Sequence, residues 1–182
     1  MTGVQTCALP IFPRIPFTTD KKLFEQLVKL GSQLIALHIA ENKNDSWQGC
    51  SLDDFEIFST KQTDRQEIGS YIGSSDNHVV EEVRFELLKE HEMPEKILMQ
   101  LVPDEKIWGR VYISKNKYFN FIPQSVWQMQ VGGYQVLEKW LKDRKGRELS
   151  GSETNFYPQI IKTLCATQQL MKQIDNFTAS WI

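Results

Sequence analysis

The sequence contains few residues of the kinds that build metal centres and disulfide frameworks. Only three cysteines and three histidines occur in 182 residues, and Cys7, Cys50 and Cys165 lie too far apart for a metal-binding spacing. An odd number of widely spaced cysteines is typical of a reducing compartment. We therefore expect a cytoplasmic chain without structural zinc, and no apolar run is long enough to cross a membrane.

The sequence also lacks a convincing catalytic motif. No glycine-rich turn follows a predicted strand, so no nucleotide-phosphate loop is predicted, and the Pro-Pro step of the loop with which amino-methyltransferases grip the target amine is absent. One short pattern, Pro103-Asp104 followed by Asp143-Arg144-Lys145, resembles a metal-dependent nuclease site. Such short matches are common by chance and Asp143 falls in a predicted helix, so the nuclease is the weaker hypothesis. We expect no cofactor within this chain.

Charge is unevenly distributed along the sequence. The chain has 21 Lys and Arg against 23 Asp and Glu, a formal net charge of −2. Residues 103–147 alone hold nine Lys or Arg against four Asp or Glu, a surplus of five positive charges. A basic segment inside an acidic chain is compatible with a phosphate-binding surface, although charge alone favours a solvated helix face.

Apolar periodicity predicts a long amphipathic helix near the beginning of the chain. Five leucines at spacings of four and three predict this helix from Asp20 to about Glu41, and further apolar residues widen its stripe. The leucines are Leu23, Leu27, Leu30, Leu34 and Leu37, and the widening residues are Phe24, Val28 and Ile35. Gly31 falls within this helix, where it would allow another element to approach closely.

Three more helices are predicted in the second half of the chain. They cover roughly residues 123–131, 136–145 and 154–176. Gly132-Gly133 is expected to break the first of them, and Gly146 is expected to end the second. Ser150-Gly151-Ser152-Glu153 has the spacing of a capping box before the last helix, in which Pro158 would be tolerated only in the first turn.

Alternating apolar residues predict a small antiparallel sheet. Ile107–Ile113 and Tyr118–Ile122 should form a hairpin, and His78–Leu88 should contribute another strand. Residues 42–77 are polar and rich in glycine, which predicts a loop or insertion with a short strand at Phe55–Ser59. The predicted fold class is therefore α+β, with several amphipathic helices packed on a small antiparallel sheet, as part of a larger domain.

The first residues do not fit this pattern. Residues 2–11, Thr2-Gly3-Val4-Gln5-Thr6-Cys7-Ala8-Leu9-Pro10-Ile11, resemble the conceptual translation of a sequencing-adapter oligonucleotide. We expect residues 1–11 to be a non-native leader, as an expression tag would be. The natural sequence would then begin near Phe12, and residues 12–182 would be the C-terminal part of a domain whose beginning is missing.

The densest motif lies between Val126 and Arg147. It contains Val131-Gly132-Gly133-Tyr134, followed by the run Lys139-Trp140-Leu141-Lys142-Asp143-Arg144-Lys145. This segment resembles the C-terminal specificity domain, or target-recognition domain, of type ISP restriction-modification enzymes and related adenine-specific DNA methyltransferases. Pro13-Arg14-Ile15-Pro16, Leu34-Ile35-Ala36-Leu37-His38 and Val111-Tyr112-Ile113-Ser114-Lys115 are similar to the family as well. The resemblance covers roughly Phe12 to Asp175.

This resemblance implies sequence-specific recognition of double-stranded DNA as the C-terminal fragment of a restriction-modification DNA methyltransferase. The full-length enzyme would use S-adenosylmethionine, bound by a domain upstream of this chain, and that methyltransferase domain would be the second partner. An alternative function stays open. The helix at Leu23–Leu37 and the last helix would dock on the methyltransferase domain as a scaffold, without direct contact to DNA.

In such a module, lysines and arginines neutralise phosphates while amide side chains read base edges. The predicted phosphate ligands are Lys115, Lys117, Lys142, Arg144, Lys145 and Arg147. The predicted base readers are Gln128, Gln130 and Gln135. Trp127, Tyr134 and Trp140 could stack on an extruded base, but their helical spacing among apolar residues favours a place in the core.

Overall fold

The computed structural model describes residues 18–39, 55, 67–73 and 78–179. Within these residues, five α-helices combine with a four-stranded antiparallel sheet and a separate two-stranded hairpin, which confirms the predicted α+β class. The helices are α1 (Lys21–Ile39), α2 (Lys96–Leu101), α3 (Gln124–Trp127), α4 (Val136–Lys142) and α5 (Gly151–Thr178). The strands are β1 (Tyr71–Ile72), β2 (Arg84–Leu87), β3 (Trp108–Ser114), β4 (Lys117–Pro123), β5 (Gln130–Val131) and β6 (Tyr134–Gln135). The expected leader, and the expected strand Phe55–Ser59 apart from Phe55, lie outside the described residues.

The four-stranded sheet has the order β1-β4-β3-β2. Strands β3 and β4 form the predicted hairpin, in which Tyr112 lies opposite Tyr118. Strand β2 occupies only part of the strand predicted at His78–Leu88. Strand β1 was not predicted, because it is two residues long and lies in the segment interpreted as a loop; Tyr71 pairs there with Phe119 of β4.

Helix α5 supplies the largest continuous part of the core. Tyr157, Ile161 and Cys165 are fully buried along one of its faces. The ring of Tyr157 lies 4.5 Å from that of Phe119 and 5.0 Å from that of Trp140, measured between centroids. The helix thereby joins the sheet to α4, and burying each such side chain stabilises the fold by about 1.5–3 kcal/mol.

Pro158 departs from its predicted position. It lies inside α5 and is buried, whereas we expected it to be tolerated only in the first turn. Its neighbour is the turn at Gly69, where an added Cβ would lie 3.1 Å from the Cα of Pro158. Close packing of this turn on the helix offsets the hydrogen bond that proline removes, a tertiary effect that local sequence rules do not include.

Helix α1 confirms its predicted boundaries over the described residues. The Asp20 carboxylate accepts hydrogen bonds from the backbone N–H groups of Lys22 (2.9 Å) and Leu23 (3.3 Å), as an N-cap should. Leu30 and Leu37 are buried. We also expected three further apolar residues to widen the face that α1 buries, and this expectation is wrong among the described residues. Phe24, Val28 and Ile35 are 45%, 47% and 40% exposed.

Gly31 and the Gly132-Gly133 pair both behave differently from expectation. Gly31 allows no close approach within the described structure, since an added Cβ would meet no atom within 4 Å. Helix α3 ends at Trp127, before Gly132-Gly133 is reached. The glycine pair forms the turn between β5 and β6, with φ angles of 60° and 83°. Two consecutive left-handed residues suit a two-residue hairpin, so Gly132-Gly133 is a hairpin turn and not a helix break.

Substituting Gly69 tests the packing of α5. We expect Gly69→Ala to lower the free energy of unfolding by about 1–3 kcal/mol, because φ is +73° and the added Cβ would lie 2.8 Å from Ile161 Cδ1. Gly31→Ala is the matched control. It adds the same methyl group to a helix interior with open space, and should stabilise by about 0.5–1 kcal/mol. Urea unfolding of both variants measures the difference; equal midpoints would contradict the packing described for Gly69.

Candidate nucleic-acid interface

Backbone hydrogen bonds bring two groups of predicted phosphate ligands to one end of the molecule. Glu81 N–H donates to the carbonyl of Ile113 at the end of β3 (2.7 Å). In the same segment, Val80 N–H donates to the carbonyl of Arg147 (3.1 Å). The β3-β4 turn, which carries Lys115 and Lys117, therefore lies close to the loop that follows α4.

The basic side chains at this end differ in whether a carboxylate neutralises them. Lys142 Nζ pairs with Glu138 (2.9 Å). Lys115 and Lys145 are exposed and form no ion pair within the described part of the chain. An uncompensated cation attracts phosphate more strongly than one that already has a partner, which distinguishes these two lysines from Lys142.

Glu153 holds the loop after α4 to the beginning of α5. Its carboxylate accepts hydrogen bonds from Arg144 Nε (2.9 Å), Arg147 Nη2 (2.6 Å) and the backbone N–H of Ser150 (3.0 Å). The last contact belongs to the capping box, which the sequence predicted correctly. The hydrogen bond from Arg147, followed by that from Ser150, lowers the pKa of Glu153.

Arg144 makes two further contacts within the protein, both with Trp140. Its guanidinium lies 3.6 Å from the centre of the Trp140 ring and donates to the Trp140 carbonyl (2.9 Å). Planar stacking and ion pairing are the two contacts that arginine makes best. The guanidinium therefore fixes the position of the loop, while the exposed Lys145 beside it has no such contact.

The β5-β6 hairpin presents its side chains to solvent. Val131 and Tyr134 lie opposite each other across the two strands and are 60% and 63% exposed. The expectation that Tyr134 belongs to the core is therefore wrong. The same expectation is confirmed for Trp127, which is buried, and for Trp140, which packs on the core while partly exposed.

The three predicted base readers lie in or just before this hairpin but are not equivalent. Gln128 and Gln130 are exposed. Gln135 is half-buried, and its amide donates to the carbonyl of Trp127 (3.3 Å). The Trp127 ring in turn stacks on Phe85 of β2, with centroids 5.2 Å apart and an interplanar angle of 8°. Gln135 thus ties the hairpin to the body of the domain.

The carboxylates of the nuclease-like pattern have separate lysine partners on two different helices. Asp104 pairs with Lys172 of α5 (2.9 Å), and Asp143 pairs with Lys139 of α4 (2.8 Å). Over the described ranges, no group of three or more His, Cys, Asp or Glu could hold a metal ion. None of the helices in those ranges is both long and apolar enough to cross a bilayer.

Sequence reasoning missed two parts of this surface. The first is the β5-β6 hairpin. Gly132-Gly133 between two short strand-like segments is typical of a hairpin turn, but the helical spacing of the neighbouring aromatic residues favoured a helix. The sheet also carries two arginines, Arg84 over the ring of Tyr112 (4.3 Å) and Arg110 over that of Tyr118 (4.9 Å). Because alternate residues of a strand extend from the same face, the positions of Arg84 and Arg110 in the predicted strands could have indicated that both arginines share one face of the sheet.

The role of Glu153 predicts a pH-dependent stability. Because its pKa is lowered in the folded state, its contribution is present above the ordinary value of about 4.3 and is lost as the pH falls below that value. We expect Glu153→Gln to lower the free energy of unfolding at pH 7 by about 0.5–2 kcal/mol, because glutamine keeps the capping box but loses the charge-assisted hydrogen bonds from Arg144 and Arg147. Urea unfolding between pH 7 and pH 3 should show the wild type approaching the variant. Asp143→Asn removes an exposed pair and should cost under about 1 kcal/mol; a pH-independent gap for Glu153→Gln would contradict the assignment.

Comparison with known protein families gives a match over most of the chain. The family model described as the type ISP C-terminal specificity domain matches residues 10–173 of the chain. Neither a curated protein nor a solved structure matches the chain. The family description implies recognition of a DNA target within restriction-modification enzymes. Since the match covers most of the 182 residues, the chain belongs to the type ISP C-terminal specificity domain family.

Proposed function

We propose that this chain recognises a specific sequence in double-stranded DNA on behalf of a restriction-modification DNA methyltransferase. The family match over residues 10–173 is the observation that carries the proposal. The exposed lysines at one end and the exposed hairpin support it. The chemistry of methyl transfer, with S-adenosylmethionine, belongs to the methyltransferase domain of the same polypeptide. The chain's own task is to hold the duplex so that the target base reaches that domain.

Recognition of a DNA sequence needs two kinds of contact. Phosphate contacts set the register of the protein on the duplex, and base contacts supply the sequence information. The proposed DNA ligands are Lys115, Lys117, Gln128, Gln135, Lys142, Arg144, Lys145 and Arg147. Among them, Lys115 and Lys145 have the strongest claim to phosphate, because no carboxylate of the described residues neutralises them. Arg144 and Arg147 share Glu153, so we expect them to place the loop more than to bind DNA.

Salt-dependent binding tests this proposal. We expect the 182-residue chain to bind a fluorescent duplex with an affinity that falls steeply as salt rises. Lys115→Ala and Lys145→Ala should each reduce the slope of log affinity against log salt by about 0.9, the value for one lost phosphate contact. Lys172→Ala is the matched control, since Lys172 is an exposed lysine about 28 Å along α5 from Glu153. Its slope should equal that of the wild type.

Two results would contradict the proposal. One is the absence of binding at low salt by a chain that unfolds cooperatively in urea. The other is equal loss of slope in Lys172→Ala and in the two variants at the basic end, which would mean that the charge of the whole chain, and no defined surface, attracts the duplex.

A second function is supported by a different surface. Helix α1 exposes Phe24 (45%), Val28 (47%) and Ile39 (58%), and α5 exposes Phe156 (56%) and Met171 (48%). The two helices contact each other, so a partner that docks on both would cover these apolar side chains. If these helices dock on the methyltransferase domain while the DNA contacts lie elsewhere, the chain should bind that domain in trans and no DNA. Calorimetry with the purified domain, using Val28→Asp as the disrupted variant, separates the two functions.

A further inference from the structure

We propose that the β5-β6 hairpin enters the major groove of the duplex and reads bases there, with Val131 and Tyr134 as specificity-determining residues. The inference rests on the proposed function and adds to it the element that supplies the specificity. Val131 would contact the C5 methyl group of a thymine. The inference goes beyond the family match, which gives no role to any single residue.

The dimensions of the hairpin fit the major groove. Val136 N–H donates to the carbonyl of Met129 (3.4 Å) and marks the base of the hairpin. From there the strands advance two residues each to Val131 and Tyr134, and the two-glycine turn follows. At about 3.4 Å per residue the hairpin projects about 10 Å, compared with a major groove about 8.5 Å deep. The major groove admits a two-stranded ribbon, whereas the minor groove is only about 6 Å wide.

The tip of the hairpin has the chemistry of a base reader. Val131 and Tyr134 are paired across the strands, so both side chains extend from the same face. Both are about three-fifths exposed, although the exposure of apolar surface to water is energetically unfavourable. An apolar side chain in the major groove contacts the C5 methyl group of thymine, so Val131 favours an A·T base pair.

The hairpin is rigid enough to hold these side chains in place. The positive φ angles of both turn glycines close the tightest hairpin loop. Gln135 fixes the second strand to the Trp127 carbonyl, and Trp127 is buried against Phe85. A preorganised element loses little conformational entropy on binding, so more of the contact energy is available to distinguish bases.

Helix α4 sets the spacing between the hairpin and the basic loop. It begins directly after the hairpin and has seven residues, a length of about 10 Å. Lys145 follows shortly after its end, so the length of α4 that separates the base of the hairpin from this lysine is comparable with the groove width of about 12 Å. At the near end, Lys139 Nζ lies 5.7 Å from the centre of the Tyr134 ring but pairs with Asp143 (2.8 Å). Lys145, which pairs with no carboxylate of the described residues, is therefore the better ligand for a phosphate beside the groove.

Selection from a pool of duplexes tests the inference. The probe is double-stranded DNA with a randomised centre of roughly 12 base pairs, a little more than one helical turn. Sequencing of the bound fraction gives the motif that the 182-residue chain prefers. We expect Tyr134→Ala and Val131→Ala to lose preference at one or two positions, by roughly 5- to 100-fold. The position lost with Val131→Ala should be A·T, and the salt slope of both variants should stay unchanged.

Two further variants make the result decisive. Phe177→Ala removes an aromatic ring that is 37% exposed near the end of α5, far from the hairpin along the helix, and should leave the motif intact. Gly132→Asn keeps the turn, because asparagine tolerates a φ of 60°, and its Cβ would meet no protein atom within 4 Å. If the tip lies in the groove, this variant changes the motif even though the hairpin still forms.

The outcomes separate this inference from the function on which it rests. A wild-type motif that all hairpin variants retain overturns the role of the hairpin and leaves DNA recognition in place. Loss of affinity equally for every sequence, with an unchanged motif, overturns it also, because the hairpin would then contact only the backbone of the duplex. A wild-type chain that binds no duplex at low salt overturns the proposed function itself.

Discussion

The burial of one face of α5 is the constraint on which the rest of the described structure depends. Tyr157 and Ile161 are inaccessible to solvent on that face, and the Tyr157 hydroxyl donates to the carbonyl of Leu137 in α4 (3.2 Å). The sheet, α1 and α3 all contact the same helix. Because a 28-residue helix is about 42 Å long, it can support several short elements that would be unstable alone.

The candidate interface depends on the first turn of this helix. Glu153 closes the capping box and binds both arginines of the loop after α4. One carboxylate therefore sets where α5 begins and where the basic loop lies. The division of the cations follows from their chemistry: arginine forms planar, multiply bonded contacts within the protein, whereas Lys115 and Lys145 remain exposed. For this reason, the number of positive charges along the sequence overestimates how many of them are available to bind DNA.

Local patterns were sufficient to predict the parts of the fold that local energetics determine. The Asp20 cap, the β3-β4 hairpin and the Ser150–Glu153 capping box each depend on residues within a few positions of one another. The elements that were missed depend on distant residues. Strand β1 exists because Tyr71 meets Phe119, and Pro158 is accommodated because Gly69 leaves room beside it. Neither pairing leaves a periodic signal in the sequence.

The candidate site was predicted by residue type but not by geometry, and the hairpin shows why. Trp127, Val131 and Tyr134 follow one another at spacings of four and three, as the apolar face of a helix would. The same spacing arises here because a buried residue is followed by an exposed cross-strand pair around two glycines. Helical periodicity read through Gly-Gly therefore placed Tyr134 in the core. Sites of recognition are expected where such local rules fail, since a side chain kept for a partner is not selected for packing within its own fold.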